Sequence, residues 1–416
     1  MPIPRFVGAA GDVEYRPWQP SLWTLLLVGA CVLGLMLGIV VSLGYSPGPA
    51  GPYEYHLWRW EADTVLGNVF SLTGISHEPS RAEGQSAVAN YFKLTSEIGT
   101  ASDLANPDAS LIEALTNERA AYQNDVESVI EGYIDEAVTN ASLQRKLPLF
   151  SGVSLTWPPV SFKLTSPPRL LVTSPRDKIE REGDTLLEPG LSLKQAEKLE
   201  AETTNKDTVS LVVSIGGLAA YPAIVSDDRS YDSLLDAASH EWTHHYLAFY
   251  PLGEQWSKGG DALALNETTA NITGREIANL IRKAHPTELP AGEDGNPPNE
   301  PAPTVDYNAE MRALRVQVDA LLAQGKVTEA EQAMETKREY LAAHGITIRK
   351  INQAYFAFYG TYADTAESSN PIGPKIEQVW SLTKDVGLFL RNMREVTSVK
   401  DLDATIARLQ SGKLLP

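Results

Sequence analysis

Residues 230–250 read SYDSLLDAASHEWTHHYLAFY, and residues 261–284 read DALALNETTANITGREIANLIRKA. The first stretch opens on Ser230, a favoured N-cap residue, after the Asp227-Asp228 turn, and Pro251 just beyond it cannot continue a helix. One helix is expected from about Ser230 to Tyr250 and a second from about Asp261 to Ala284. Three of the seven histidines fall in the run His240-Glu241-Trp242-Thr243-His244-His245, an HExxH motif followed by one more His. Helix positions four apart share a face, so His240 and His244 can offer imidazole nitrogens to one metal. Glu241 flanks that face, where a carboxylate can take a proton from an attacking water. His245 points about 100° away from His244, which favours a packed or hydrogen-bonded histidine over a ligand.

The metal's chemistry is narrowed by what the chain lacks. Its only cysteine is Cys31, so any metal must use His and carboxylate, and no disulfide framework exists. His₂Glu is an established catalytic zinc set, whereas closed structural zinc sites are rich in cysteine. Glu267, in Asn266-Glu267-Thr268-Thr269-Ala270-Asn271, lies far enough past His244 for a turn and an antiparallel return; Asp236 and Asp261 compete for the same role. The bland alternative is a pair of ordinary histidines on an amphipathic helix, but HExxH arises by chance only about one time in a hundred in such a chain.

Upstream, residues 58–157 are expected to form a helical region, with helical periodicity from Trp58 to about Gln144 that recurs through Val126, Ile130 and Ile134, and Pro158 and Pro159 then end helix formation. Short β-type runs follow at 160–164, 170–173 and 208–215. Gly216 to Val225 (GGLAAYPAIV) continues them, and Pro222 confines that stretch to a sheet edge able to pair with an extended peptide. Downstream come a Pro-rich loop at 286–304 and a helical region at 305–416, with a hairpin of helices at 305–323 and 327–343 and further helices at 348–364, 376–393 and 399–409. Helices, then a small sheet, then helices describe an α+β fold. The small sheet and the HExxH core together span 158–285.

At the N-terminus no charge interrupts the chain between Arg16 and Glu54, and residues 22–43 read LWTLLLVGACVLGLMLGIVVSL. An apolar run of about 20 residues crosses a bilayer, with Trp18, Trp23 and Tyr45 as interfacial aromatics. The expectation is a cytoplasmic segment at 1–20, a single transmembrane anchor at 21–45, a linker at 46–57 and an outward-facing remainder. A cleaved signal peptide has a shorter apolar core, about 7–15 residues, and an A-x-A site that is missing here. The 35 Lys and Arg against 53 Asp and Glu leave a net charge of −18, which repels phosphate backbones and excludes nucleic acid as a partner.

HEWTH followed by NETTAN resembles the gluzincin metallopeptidases, the clan of thermolysin and the M1 aminopeptidases, over roughly residues 216–276. The resemblance implies His240, His244 and Glu267 as Zn²⁺ ligands and Glu241 as the catalytic base, with Asn266 matching the NExxA pattern. Asn271 stands where thermolysin-like enzymes carry an aspartate that supports a histidine ligand. A weaker similarity to bacterial putative aminopeptidases rests on Asn352-Gln353-Ala354 and Thr361-Tyr362. It implies Tyr362 as the donor to the tetrahedral oxyanion, with Tyr355 and Tyr359 as rivals, and a bacterial plasma-membrane location. Where M1 enzymes hold the substrate amine with a glutamate, this chain has Ala219, so exopeptidase and endopeptidase action both stay open. The expected function is a membrane-anchored, zinc-dependent peptidase acting on a peptide or protein substrate. The alternative is a non-enzymatic membrane-anchored subunit or assembly factor that serves an unnamed membrane complex.

Overall fold

Ser230 caps the motif helix, Tyr231–Leu247, by accepting the backbone N–H of Ser233 at 3.3 Å. The chain then breaks at Ala248, and Pro251 opens a single-turn helix, Pro251–Glu254. The longest helix among the described residues, Gly260–Ala284, returns along the motif helix. Gly274 sets how closely the two pack: a Cβ there would lie 2.9 Å from Asp236 O and from His240 N. The backbone of the second helix therefore rests directly on the turn that carries the first histidine. Leu234, Leu235, Trp242, Leu265, Ile272 and Ile277 are buried between these helices and their neighbours, each worth about 1.5–3 kcal/mol in area removed from water. Trp242 also donates its indole N–H to Pro158 O at 3.1 Å, which ties the helix to the double-proline break.

These elements belong to a computed structural model of the protein that describes residues 48–62, 64, 80–147, 150–286 and 304–412. The chain divides into two units, Met1–Gly51 and Pro52–Pro416, and every element named here lies in the second or begins at its border. The expected cytoplasmic segment 1–20, the anchor 21–45 and nearly all of the Pro-rich loop 286–304 fall outside the described residues. Among the described residues no helix is long and apolar enough to cross a membrane.

The expected α+β class with a membrane helix and one small sheet is corrected by the structure, which is 60 % helical with only small sheets. Strands β1 (Arg145–Leu147) and β2 (Phe150–Leu155) form an antiparallel hairpin inside the region 58–157 expected to be helical, just past the periodic stretch that ends at about Gln144. Strand β4 (Arg169–Pro175) is central to a second sheet, between β5 (Gly183–Leu187) and β6 (Thr208–Ser214), both antiparallel to it. In the third, β8 (Ala223–Val225) lies between β3 (Phe162–Leu164), parallel to it, and β7 (Gly217–Leu218), antiparallel to it. The strands divide because they face two cores. Phe162, Leu164, Ala223 and Val225 pack with the motif helix, whereas Leu170, Val172, Leu211 and Val213 pack with a helix pair, Tyr307–Leu322 and Val327–Ala343. Alternation in sequence reveals a strand but not which core it serves.

The helical segment upstream resolves into Arg81–Ser102, Ala109–Ala120 and Gln123–Asn140. Downstream, the run read as one helix over 348–364 contains only Gln353–Tyr359, and that over 376–393 is two helices, Ile372–Thr383 and Val386–Met393. Between the latter two, Lys384 takes a left-handed conformation at φ 47° and Asp385 caps the second helix. No Gly or Pro marks that break in the sequence.

The outer edge of β3 is closed by carboxylates spaced one helical turn apart. Glu131 accepts the N–H of Phe162 at 2.9 Å, and Glu127 accepts that of Leu164 at 2.8 Å while pairing with Lys163 at 2.5 Å. Edge strands need such cover, and closing this side leaves β7 as the sheet's other edge. Burial pushes the Glu131 carboxyl up from 4.5 to about 7, against the Phe162 N–H and Lys163. The folded state therefore keeps a proton that the unfolded chain has already released, so stability falls as pH rises from about 4.5 to about 7. Glu131→Gln is expected to flatten this loss, gaining on the order of 1–3 kcal/mol over wild type between pH 5 and pH 8. Urea unfolding at the two pH values measures it, and a constant difference between the proteins would refute the assignment.

Candidate metal centre

Both histidines of the motif turn their Nε2 atoms to the same point. His240 Nε2 and His244 Nε2 are 2.9 Å apart, and Glu267 Oε2 lies 3.5 Å from the first and 3.4 Å from the second. A four-coordinate zinc with bonds of 2.0–2.1 Å has donor-to-donor edges of about 3.3 Å, so this triangle is close to one face of its tetrahedron. Among the described residues, His240, His244 and Glu267 are the only such group of three potential ligands. Each of the three side chains is at most 14 % exposed, so the triangle lies in a poorly solvated site. The donor set therefore fits Zn²⁺.

The other members of the cluster hold these donors in place. Asn266 Oδ1 accepts His244 Nδ1–H at 2.8 Å, so the neutral imidazole, the form that binds a metal, presents its Nε2 lone pair toward the centre. The Asn266 amide is itself oriented by donating to Leu252 O at 3.4 Å. Trp256 donates its indole N–H to the second Glu267 oxygen, Oε1, at 3.1 Å. Burial alone would lower the His244 pKa, but the Glu267 carboxylate raises it to about 9; the histidines in turn hold Glu267 well below its ordinary value against the effect of burial. The rival carboxylates are engaged elsewhere: Asp236 pairs with Arg282 at 3.0 Å, and Asp261 accepts from Asn370 at 3.5 Å.

Glu241 is buried at 7 % exposure beside the donors. Its Oε1 would lie 2.3 Å from a Cβ at Gly217, so the glycine of β7 makes room for the carboxylate. Burial raises the Glu241 pKa, opposed mainly by His240 and His244, which makes it a stronger base than an exposed carboxylate. Gly217→Ala is expected to displace that carboxylate with bound metal retained, and to lower by at least tenfold any turnover in which Glu241 serves as base. Parallel metal analysis and rate measurements check it, and unchanged turnover would show that the carboxylate's position is unimportant.

Tyr362 lies with its ring 6.3 Å from that of His240 and lines the same cavity. Burial, with Glu267 and Glu241 nearby, raises its pKa well above the ordinary value, so it stays a hydroxyl donor at neutral pH. Its segment is pinned to the Glu267 helix by the two residues that follow it. Thr268 Oγ1 accepts Ala363 N–H at 2.9 Å, and Asn271 Nδ2 donates to Asp364 Oδ1 at 3.3 Å. Asn271 thus fixes the Tyr362 segment instead of supporting a histidine ligand. Of the rival tyrosines, Tyr359 also lines the cavity, whereas Tyr355 bonds Tyr307 at 3.0 Å within the second core. His245 donates Nε2–H to Ala220 O at 2.6 Å and leaves the metal point to its neighbour.

The cavity measures about 930 Å³, and Trp256, the three donors, Arg229 and Asp364 are among the residues that line it. Gly217, Leu218 and Ala219 form part of its wall, so the free edge of β7 faces it. Sequence reasoning missed Trp256, Arg229 and the roles of Gly216 and Gly217. A lone Trp in a polar connection and a glycine pair ahead of the motif were their only signals. A scan against protein-family models gave no match, and neither did searches of curated proteins and of solved structures.

Proposed function

We propose that the chain is a zinc-dependent peptidase with His240, His244 and Glu267 as metal ligands and Glu241 as general base. When bound, zinc would polarise the scissile carbonyl and lower the pKa of its water to about 7. Glu241 would accept a proton from the attacking water and deliver it to the leaving amine. The free edge of β7 would align the peptide backbone through main-chain hydrogen bonds. Tyr362 would donate a hydrogen bond to the developing oxyanion.

The observation that carries this reading is a buried carboxylate, without a hydrogen bond or ion pair among the described residues, beside the three donors and against the edge strand β7. A site that only held a metal would have no need of Glu241, whose burial costs stability. The HExxH and NExxA resemblance to gluzincins supports the same assignment. Metal analysis of the purified chain, followed by hydrolysis of a broad peptide library, tests it. Zinc at one equivalent with turnover is expected; zinc without turnover would favour the non-enzymatic subunit.

A further inference from the structure

Three arginines line the cavity, and two of them are neutralised by neighbours. Arg181 pairs with Asp184 at 2.7 Å, and Arg275 with Glu276 at 3.2 Å and Glu377 at 3.5 Å. Arg229 makes no ion pair with a carboxylate among the described residues. Its hydrogen bonds go to neutral acceptors: Nε donates to Gly216 O at 3.3 Å, and Nη1 to Ser233 Oγ at 2.6 Å and Ser233 O at 3.4 Å. Its Nη2 has no acceptor among the described residues and occupies a notch that only glycine leaves, since a Cβ on Gly216 would lie 1.7 Å from it. Burial lowers the Arg229 pKa, and Asp228, Glu241 and Asp236 oppose that only from a distance. A guanidinium held by two of its nitrogens, with the third unpaired in a cavity, is pre-organised for an oxyanion.

Its place along the cavity says where that oxyanion belongs. Gly216 immediately precedes β7, so a peptide laid antiparallel on that edge would run its C-terminal residues past Gly216 and Arg229. We propose that Arg229 anchors a substrate carboxylate on that side of the cleaved bond, either the free C-terminus of a short peptide or an acidic side chain. This rests on the peptidase reading and adds a substrate class to it.

The test uses the zinc-loaded full chain and matched peptide pairs: free acid against C-terminal amide, and Asp or Glu against Asn or Gln after the cleaved bond. The carboxylate member of one pair is expected to have a kcat/KM 10- to 100-fold higher, and the pair that discriminates identifies the source. Arg229→Gln should bring the ratio toward one, chiefly through KM. Gly216→Ala should do the same by pushing the flexible end of Arg229 aside, with little effect on folding. Calorimetric binding of the free acid and the amide to Glu241→Gln reads the site without turnover. If wild type cleaves peptides with no preference in either pair, or the preference survives both substitutions, the anchor is overturned and the peptidase reading stands. If nothing is cleaved but the acid binds more tightly than the amide in an Arg229-dependent way, the anchor stands and the peptidase reading falls. Neither turnover nor selective binding overturns both.

Discussion

Glu241→Gln is expected to lower peptide turnover by about 10²- to 10⁴-fold while zinc content and Tm stay at their wild-type values. The size follows from the loss of a positioned general base, and the selectivity from the local packing. Glutamine has the volume of glutamate, so the space left by Gly217 accepts it without strain. None of the three donors is touched: His240 and His244 converge through Nε2 with Glu267, and Asn266, not Glu241, orients His244. Removing a buried negative charge also removes a desolvation cost, so the variant should melt no lower than wild type. An amide can still hold a water but cannot accept its proton. Steady-state hydrolysis, metal analysis and a thermal melt on one preparation measure all three quantities. Wild-type turnover in the variant would remove the general base and with it the peptidase reading.

The site could be read from sequence where a single helix carries the information. Ser230, the four-residue spacing of His240 and His244, and Pro251 are local signals, and a helix of known period converts them directly into a shared face. The Glu267 helix was legible for the same reason. What escaped depends on contacts between elements distant in the chain. Gly274 matters because it touches the backbone at His240, and Gly217 because Glu241 arrives against it; both look like ordinary glycines in sequence. Arg229 reads as one more charge after an acidic turn until Gly216 is seen to make room for it. The division of the strands into three sheets was hidden because alternation marks a buried face without naming its partner. The break at Lys384 was hidden because a non-glycine left-handed residue leaves no sequence mark.

Removing the third donor is expected to have the largest effect on the metal. Asn266→Ala takes away a support for His244, and losses of that kind typically weaken metal binding about 10- to 100-fold. Glu267→Ala should exceed that range, because it deletes a donor atom and the only negative charge in the ligand set. It also leaves Trp256 Nε1–H without its acceptor. Two imidazoles alone would then have to hold a dication in a poorly solvated site, with no carboxylate among the donors. Neither substitution should abolish folding, since the Glu267 helix is anchored by Leu265, Ile272, Gly274 and Ile277 rather than by the polar cluster. Competition with a chromophoric chelator ranks the affinities, and wild type, Asn266→Ala and Glu267→Ala are expected in descending order. The order itself is the discriminating result. Were Glu267→Ala to bind zinc as tightly as wild type, the third donor would have to lie elsewhere. Asp236 would be the rival to test, because it lines the same cavity and, among the described residues, its ion pair is with Arg282. Were Asn266→Ala the weaker binder, His244 orientation would outweigh ligand count, and the carboxylate would act chiefly as a charge partner for the histidines.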